Sequence, residues 1–313
     1  RFKIQCILTM MAVRGWEFGF LSDCMFPSNG CREYQCRNRT WTLVHRGKVG
    51  ILLSDSLAAE WRRGGAAVVM RGRQDRKTTR CMSIVVPRQG RRRGLALVAV
   101  YAPVSGRQSV RARERFREEV RYVEAKCRGS DNMVVLGGDW NAEPGKPVEE
   151  GEQDQIGAHG GPRRTESGSE LLEFCSEFPL FVYSTAFPQR QPGTWLHPRY
   201  RTWHHLDHFL LRLRDRLHVT NVKTLQFGPG GDQGGRRNVR TVIKRRTQEE
   251  WWRVREDGVV AWSPYTDHEP VEISLRLRRM VEQREKTGRA PSRGGTGPAK
   301  AYRADPGGGR TET

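Results

Sequence analysis

Acidic residues are scarce in this 313-residue chain, with 35 Asp and Glu against 55 Lys and Arg, for a formal net charge of +20. Such a field disfavours cationic partners and favours polyanions, meaning nucleic acid or an acidic membrane surface. Apolar residues are also few, at 36%. No apolar run is long enough to span a bilayer. The short uncharged run behind Arg1 and Lys3 is followed by no small-residue cleavage site, so it does not read as a signal peptide. The seven cysteines are odd in number and include no C-x-x-C pair. That argues against a disulfide framework and a zinc ribbon, and for a reducing, nuclear or cytoplasmic compartment. No internal repeat is evident.

Part of the apolar deficit comes from the end of the chain. Residues 283–313, rich in Gly, Pro, Arg and Lys, read as a disordered basic tail. From Arg284 onward there are seven basic and three acidic residues, so most of the charge belongs to the body at 1–282.

The body alternates short apolar runs with turn residues. Ile4, Ile7, Leu8 and Met11 recur at helical spacing, which predicts an amphipathic helix over 1–14. Strands are predicted at 16–23, 47–54, 81–87, 94–103, 132–140, 180–187, 193–198, 205–213 and 217–225. Several have unbroken apolar centres, as in strands buried on both faces. Helices are expected at 109–127 and 167–178. A Gly-rich basic loop follows at 226–240, and 259–277 reads as a turn leading into a strand.

Four apolar stretches end on, or contain, acidic or amide residues: Asp23 after FGFL, Asp139 and Asn141 after VVLGG, Asp207 in HLDHFLL, and Asp267 with His268 in TDHEPV. Strand ends followed by Asp or Asn are ordinary loop starts, but they are also where α/β proteins carry chemistry. Asp207 is the least expected, because carboxylates are rarely buried unpaired. It needs a partner, and His268 is a candidate.

Taken in order with Tyr101 in VYAP, the segments GGDWNAEPG, TWLHPRYRTWHHLDHFLL and TDHEPV resemble the endonuclease/exonuclease/phosphatase superfamily. They are most similar to the AP-endonuclease-like endonuclease domains of non-LTR retrotransposons and to craniofacial development protein 2-like proteins. The resemblance runs from about residue 16 to about 277. It implies a four-layered α/β sandwich, with two mixed sheets face to face and helices outside. It also implies a Mg²⁺-dependent DNA endonuclease that nicks one strand, with Mn²⁺ as a substitute cation and an RNA or reverse-transcriptase partner as a further expectation.

By the same resemblance, Asp139 orients or deprotonates the attacking water and Asn141 holds the water or the phosphate. Tyr101 contacts the phosphate or the leaving oxygen. His268 meets a nonbridging oxygen, with Asp207 fixing its tautomer. Asp23 and Asp267 lie in or near the metal shell, and Trp195 and Arg199 are DNA-contact candidates. Two features depart from the family: Asp23 stands where Glu is usual, and the first-strand Asn has no counterpart, so a further strand is expected upstream of residue 1.

Other readings stay open. A different phosphodiesterase or phosphatase of the superfamily is one, and a noncatalytic nucleic-acid-binding protein is another. His204 and His208 have the spacing of a helical zinc site, but FLL and Trp203 beside them argue for a strand. The Arg clusters at 91–93, 236–240 and 244–246 either grip phosphates or are solvated.

Overall fold

In a computed structural model the described residues are 2–24, 26, 28–71, 79–87, 93–104, 110–128, 132–190, 193–197, 199–200, 202–225, 268 and 271–275. The tail, Asp267 and the loop at 226–240 lie outside them. In chain order the elements are α1 (Phe2–Arg14), β1 (Phe18–Leu21), β2 (Gly30–Cys36), β3 (Arg39–Arg46), β4 (Val49–Ser54), α2 (Asp55–Arg63), β5 (Val68–Val69), β6 (Cys81–Val86), β7 (Leu95–Tyr101), α3 (Val110–Arg128), β8 (Met133–Asp139), α4 (Glu166–Glu177), β9 (Leu180–Val182), β10 (Trp195–Leu196), β11 (Trp203–His204), β12 (Asp207–Arg212), β13 (Val219–Thr224) and β14 (Val271–Leu275).

Two sheets form the centre. One is four-stranded and antiparallel, in the order β1-β4-β3-β2, and the other is six-stranded and mixed, in the order β5-β6-β7-β8-β12-β9. The β2–β3 hairpin, unmarked in the sequence reading, turns at Arg37 and Asn38, both with positive φ. Such a two-residue turn matches the twist of the strands it joins. The helix α2 was also unmarked. The Ser54 side chain caps its N-terminus by accepting the Leu57 N–H, and Leu57, Ala58 and Trp61 form its buried side.

Each layer buries the face its sequence pattern offers. In α1, Leu8 and Met11 pack with Trp41, Leu43 and Leu52 on the four-stranded sheet. On the six-stranded sheet, Phe116, Val120 and Val123 of α3 join Val98, Val134 and Leu136, and α4 adds Leu171, Leu172 and Phe174. Between the sheets, the Phe20 ring of β1 sits 6.0 Å from that of Phe209 in β12. A Cβ on Gly137 would meet Phe20 at 2.3 Å, so the first glycine of GGDW is space for this ring. Among the described residues, no helix is long and apolar enough to cross a membrane.

Candidate active site at three neighbouring strand ends

The strands β7, β8 and β12 lie side by side, and their register aligns their polar ends. Tyr101 pairs with Asp139 across the parallel β7–β8 ladder, and Asp139 pairs with Asp207 across the antiparallel β8–β12 ladder. Neighbouring strands are spaced about 4.8 Å apart, so the three residues form a short row across the sheet. The second glycine of GGDW lets the row form. Gly138 has φ +141, and a Cβ there would fall 2.1 Å from the Val100 carbonyl oxygen. Ser22 bridges the two strands at this point, donating to Val100 O at 3.0 Å and accepting the Asp139 N–H at 3.1 Å.

Asp139 is 5% exposed. Its Oδ1 accepts the Asn141 backbone N–H at 2.9 Å, and its Oδ2 faces the Asn141 amide nitrogen at 3.3 Å. Asn141 has φ 47, a conformation that Asn tolerates better than most side chains. Its Nδ2 also donates to Ala102 O at 2.9 Å, and its own carbonyl accepts from Ser167 Oγ at 2.8 Å. The amide is therefore fixed by both neighbouring strands. Its Oδ1 is the atom without a protein partner among the described residues.

Asp207, half-buried with its side chain 20% exposed, finds a partner. His268 Nδ1 donates to Asp207 Oδ2 at 2.8 Å, and Thr194 Oγ1 accepts the Leu206 and Asp207 backbone N–H groups. Burial alone would raise the Asp207 pKa, but the charge and hydrogen bond of His268, with a hydrogen bond from Thr194, hold it below the ordinary value. A β-bridge joins Trp195 to His268, and their rings lie 6.4 Å apart. Trp195 thus lies beside the site. Arg199 is exposed in the turn between β10 and β11, with its guanidinium 5.4 Å from the Tyr200 ring, and no contact described ties it to the strand-end row.

On the other side, two cations flank Tyr101. Lys48 Nζ lies 5.5 Å and Arg80 Cζ 5.0 Å from its ring centroid. Lys48 also pairs with Asp23, Nζ to Oδ1 at 3.7 Å. Asp23 follows β1 at φ 51 with its side chain 56% exposed.

Sequence reasoning missed Ser22, Thr194, Lys48 and Arg80. Thr194 opens the TWLHP segment and Ser22 stands between FGFL and Asp23, but only register shows that their hydroxyls cap strand ends. Lys48 and Arg80 arrive from loops remote in sequence and carried no local signal.

The histidine pair is not a zinc site. His208 is buried, with Nδ1 against Ser184 Oγ at 2.6 Å and Nε2 against Ala142 O at 2.8 Å. His204 is held by Glu143 and Thr202. Burial and nearby His208 push the intervening His205 down to about 3. His204 closes β11 and His208 lies in β12, so two separate strands carry imidazoles that a single helix would have brought together. Among the described residues, no group of three or more His, Cys, Asp or Glu side chains could hold a metal ion. Within the 91–93 cluster, Arg93 pairs with buried Asp215 at 2.5 Å, which ties its guanidinium to an internal carboxylate.

The chain is similar to several solved structures. One is the endonuclease domain of TRAS1, a telomere-specific non-LTR retrotransposon, at 15% identity and a TM-score of 0.47 over 88% of this chain and 92% of that one. Another is a 3′ phosphatase from Neisseria bound to product DNA hairpin, at 12% and 0.47 over 88% and 94%. A third is an AP endonuclease from Leishmania major, at 12% and 0.50 over 87% and 82%. This third likeness shows the fold, the DNase I-like α/β sandwich. No protein-family model and no curated protein matches the chain.

Proposed function

We propose that this chain is a phosphodiester hydrolase of the endonuclease/exonuclease/phosphatase superfamily, and specifically a divalent-metal-dependent DNA endonuclease that nicks one strand, as a non-LTR retrotransposon needs to do. One observation carries the reading: Tyr101, Asp139 and Asp207 stand in register on adjacent strand ends, with His268 on Asp207.

Hydrolysis of a phosphodiester needs an aimed water, shielding of the phosphoryl oxygens and help for the leaving oxygen. Asp139, with its carboxylate already oriented by two donors from Asn141, is suited to accept a proton from water. The Asn141 Oδ1 is an acceptor that can hold that water in line. Because His268 commits Nδ1 to Asp207, Nε2 is the nitrogen through which it would meet a nonbridging oxygen. Asp207 fixes that tautomer, as a buried carboxylate does for a catalytic histidine. Tyr101, between Lys48 and Arg80, would donate to the phosphate or to the leaving oxygen. The same cations favour an anionic substrate, as the charge of the whole chain does.

The donors at these strand ends are oxygens, from Asp139, Asn141 and Asp23, a set that suits hard cations such as Mg²⁺ or Mn²⁺. Mg²⁺ usually takes only one or two carboxylates and completes its shell with substrate phosphates and water, so a three-ligand protein cluster is not required. Asp23 would help hold the cation, and Asp267, the other carboxylate that the resemblance implies, lies outside the described residues. When bound it neutralises phosphoryl charge. The Asp23–Lys48 ion pair favours a second reading, a protein that binds nucleic acid without cutting it.

The deciding experiment is nicking of supercoiled plasmid, with DNA binding measured in parallel. Relaxed circles with Mg²⁺ and none with EDTA are expected. Binding without nicking at any Mg²⁺ concentration would establish the second reading.

A further inference from the structure

Arg80 belongs to none of the motifs that define the strand-end row, yet it contacts Tyr101 and shares the Ala102 carbonyl with Asn141. Its backbone is already spoken for: its carbonyl accepts the Tyr101 N–H at 2.9 Å and its N–H donates to Glu119 Oε2 of α3 at 3.1 Å. That anchoring brings the guanidinium over Tyr101. Nη1 reaches Tyr101 O at 3.2 Å and Ala102 O at 3.4 Å, and Cζ lies 5.0 Å from the ring centroid. The Ala102 carbonyl also accepts from Asn141 Nδ2, and Asn141 in turn holds Asp139.

We propose that Arg80 is a positioning residue, which orients the Tyr101 ring by stacking and shares the Ala102 carbonyl with Asn141, so that Tyr101, Asn141 and Asp139 are set by one network. The role rests on the endonuclease reading. It also explains the residue type, because a planar guanidinium can stack on a ring and donate at its edge, whereas a lysine ammonium brings charge without that geometry.

Arg80→Gln, Arg80→Lys, Tyr101→Phe and the double variant Arg80→Gln/Tyr101→Phe, all in the full chain, test it by steady-state nicking. Displacement of a catalytic group by about 1 Å can cost up to roughly a hundredfold, so Arg80→Gln should lose roughly tenfold or more in kcat, with KM within about twofold. Arg80→Lys should not rescue. The double variant should cost much less than the product of the single losses, since Arg80 acts partly through Tyr101.

Rescue by Lys together with a raised KM and a salt slope reduced by about 0.9 would make Arg80 a phosphate contact instead and overturn the proposal. So would full multiplicativity of the two losses, or an unchanged kcat. Should Arg80→Gln fail to fold, the Arg80→Lys and Arg80→Lys/Tyr101→Phe pair carries the same comparison. If the parental chain itself fails to nick with Mg²⁺, the endonuclease reading falls and takes this role with it. A nicking parent with an indifferent Arg80 variant sinks the positioning role alone.

Discussion

Asp139 closes β8 and Asp23 lies two residues beyond β1, at the same end of the sandwich, and they are held in opposite ways. Asp139 is 5% exposed and has both carboxylate oxygens engaged by Asn141. Asp23 lies in a left-handed backbone conformation, more than half exposed, with Lys48 as its ion-pair partner. Exposed ion pairs are worth about 0–1 kcal/mol, so Lys48 could release Asp23 at little cost. The carboxylate beside the proposed proton transfer is thus set before any ligand arrives, and on the proposed function the one assigned to the cation would have to be recruited. Catalysis gains most from groups that need no reorganisation at the moment of reaction, so substitutions on the two sides should have unequal effects.

The largest effect belongs to Asp139→Ala. A positioned general base is worth about a hundredfold to ten-thousandfold, and nicking by this variant should fall by at least the lower figure. DNA affinity should stay close to that of the parent, because binding is attributed to the cationic surface and not to this carboxylate. Plasmid nicking and a parallel binding titration measure both. Nicking at the parental rate would remove Asp139 from the reaction and erase the contrast with Asp23.

The next effect tests whether the far end of the row works as a unit. Asp207 serves the proposed reaction only through His268, so His268→Ala and Asp207→Ala should each lose activity, and the double variant should lose far less than the product of the two. Because the Asp207 pKa lies below its ordinary value, the carboxylate is ionised throughout the neutral range. The coupling should therefore hold at pH 7 and not depend on protonation of Asp207. Multiplicative losses would mean that the 2.8 Å contact is structural and that the two residues act separately.

The same contrast marks what the sequence could reveal. Runs such as LALVAVY and MVVLGGD announced buried strands, and the polar residues closing them stood out as candidates, while the row they form follows from strand order and register. The pairing of Asp207 with His268 could be anticipated because a buried carboxylate demands a partner. By contrast, β2 and α2 were passed over: β2 reads GCREYQC, with charged and amide residues on its outward positions, and α2 has only three buried residues. Lys48 and Arg80 were invisible for a different reason. Their meaning is a distance to Tyr101 created by the β3–β4 turn and the approach to β6, and no spacing along the chain encodes it. The tight glycines of GGDW were legible as a turn signal only, while their physical cause is the Phe20 ring and the Val100 carbonyl.

The smallest effect is expected at Asp23. Asp there is shorter, by one carbon–carbon bond, about 1.5 Å, than the Glu usual in the superfamily whose motifs the chain resembles, and Mg²⁺ requires oxygens at about 2.0–2.1 Å in near-octahedral array. A carboxylate that falls short meets the cation through water or draws its backbone along, and both weaken binding. Asp23→Glu should therefore lower the Mg²⁺ concentration at half-maximal nicking by a few-fold, on the order of 1 kcal/mol or less, with kcat changed little. Lys48→Gln should shift the midpoint in the same direction by removing the competing ammonium, provided Lys48 does not itself hold the phosphate. Titration with Mg²⁺ alone is the correct measurement, since Ca²⁺ accepts looser geometry and Mn²⁺ binds such sites more tightly than Mg²⁺ does. A midpoint that stays fixed or rises in Asp23→Glu, in a chain that nicks, would show that Asp23 is no ligand. The difference between the two aspartates would then be that between a catalytic residue and a surface one.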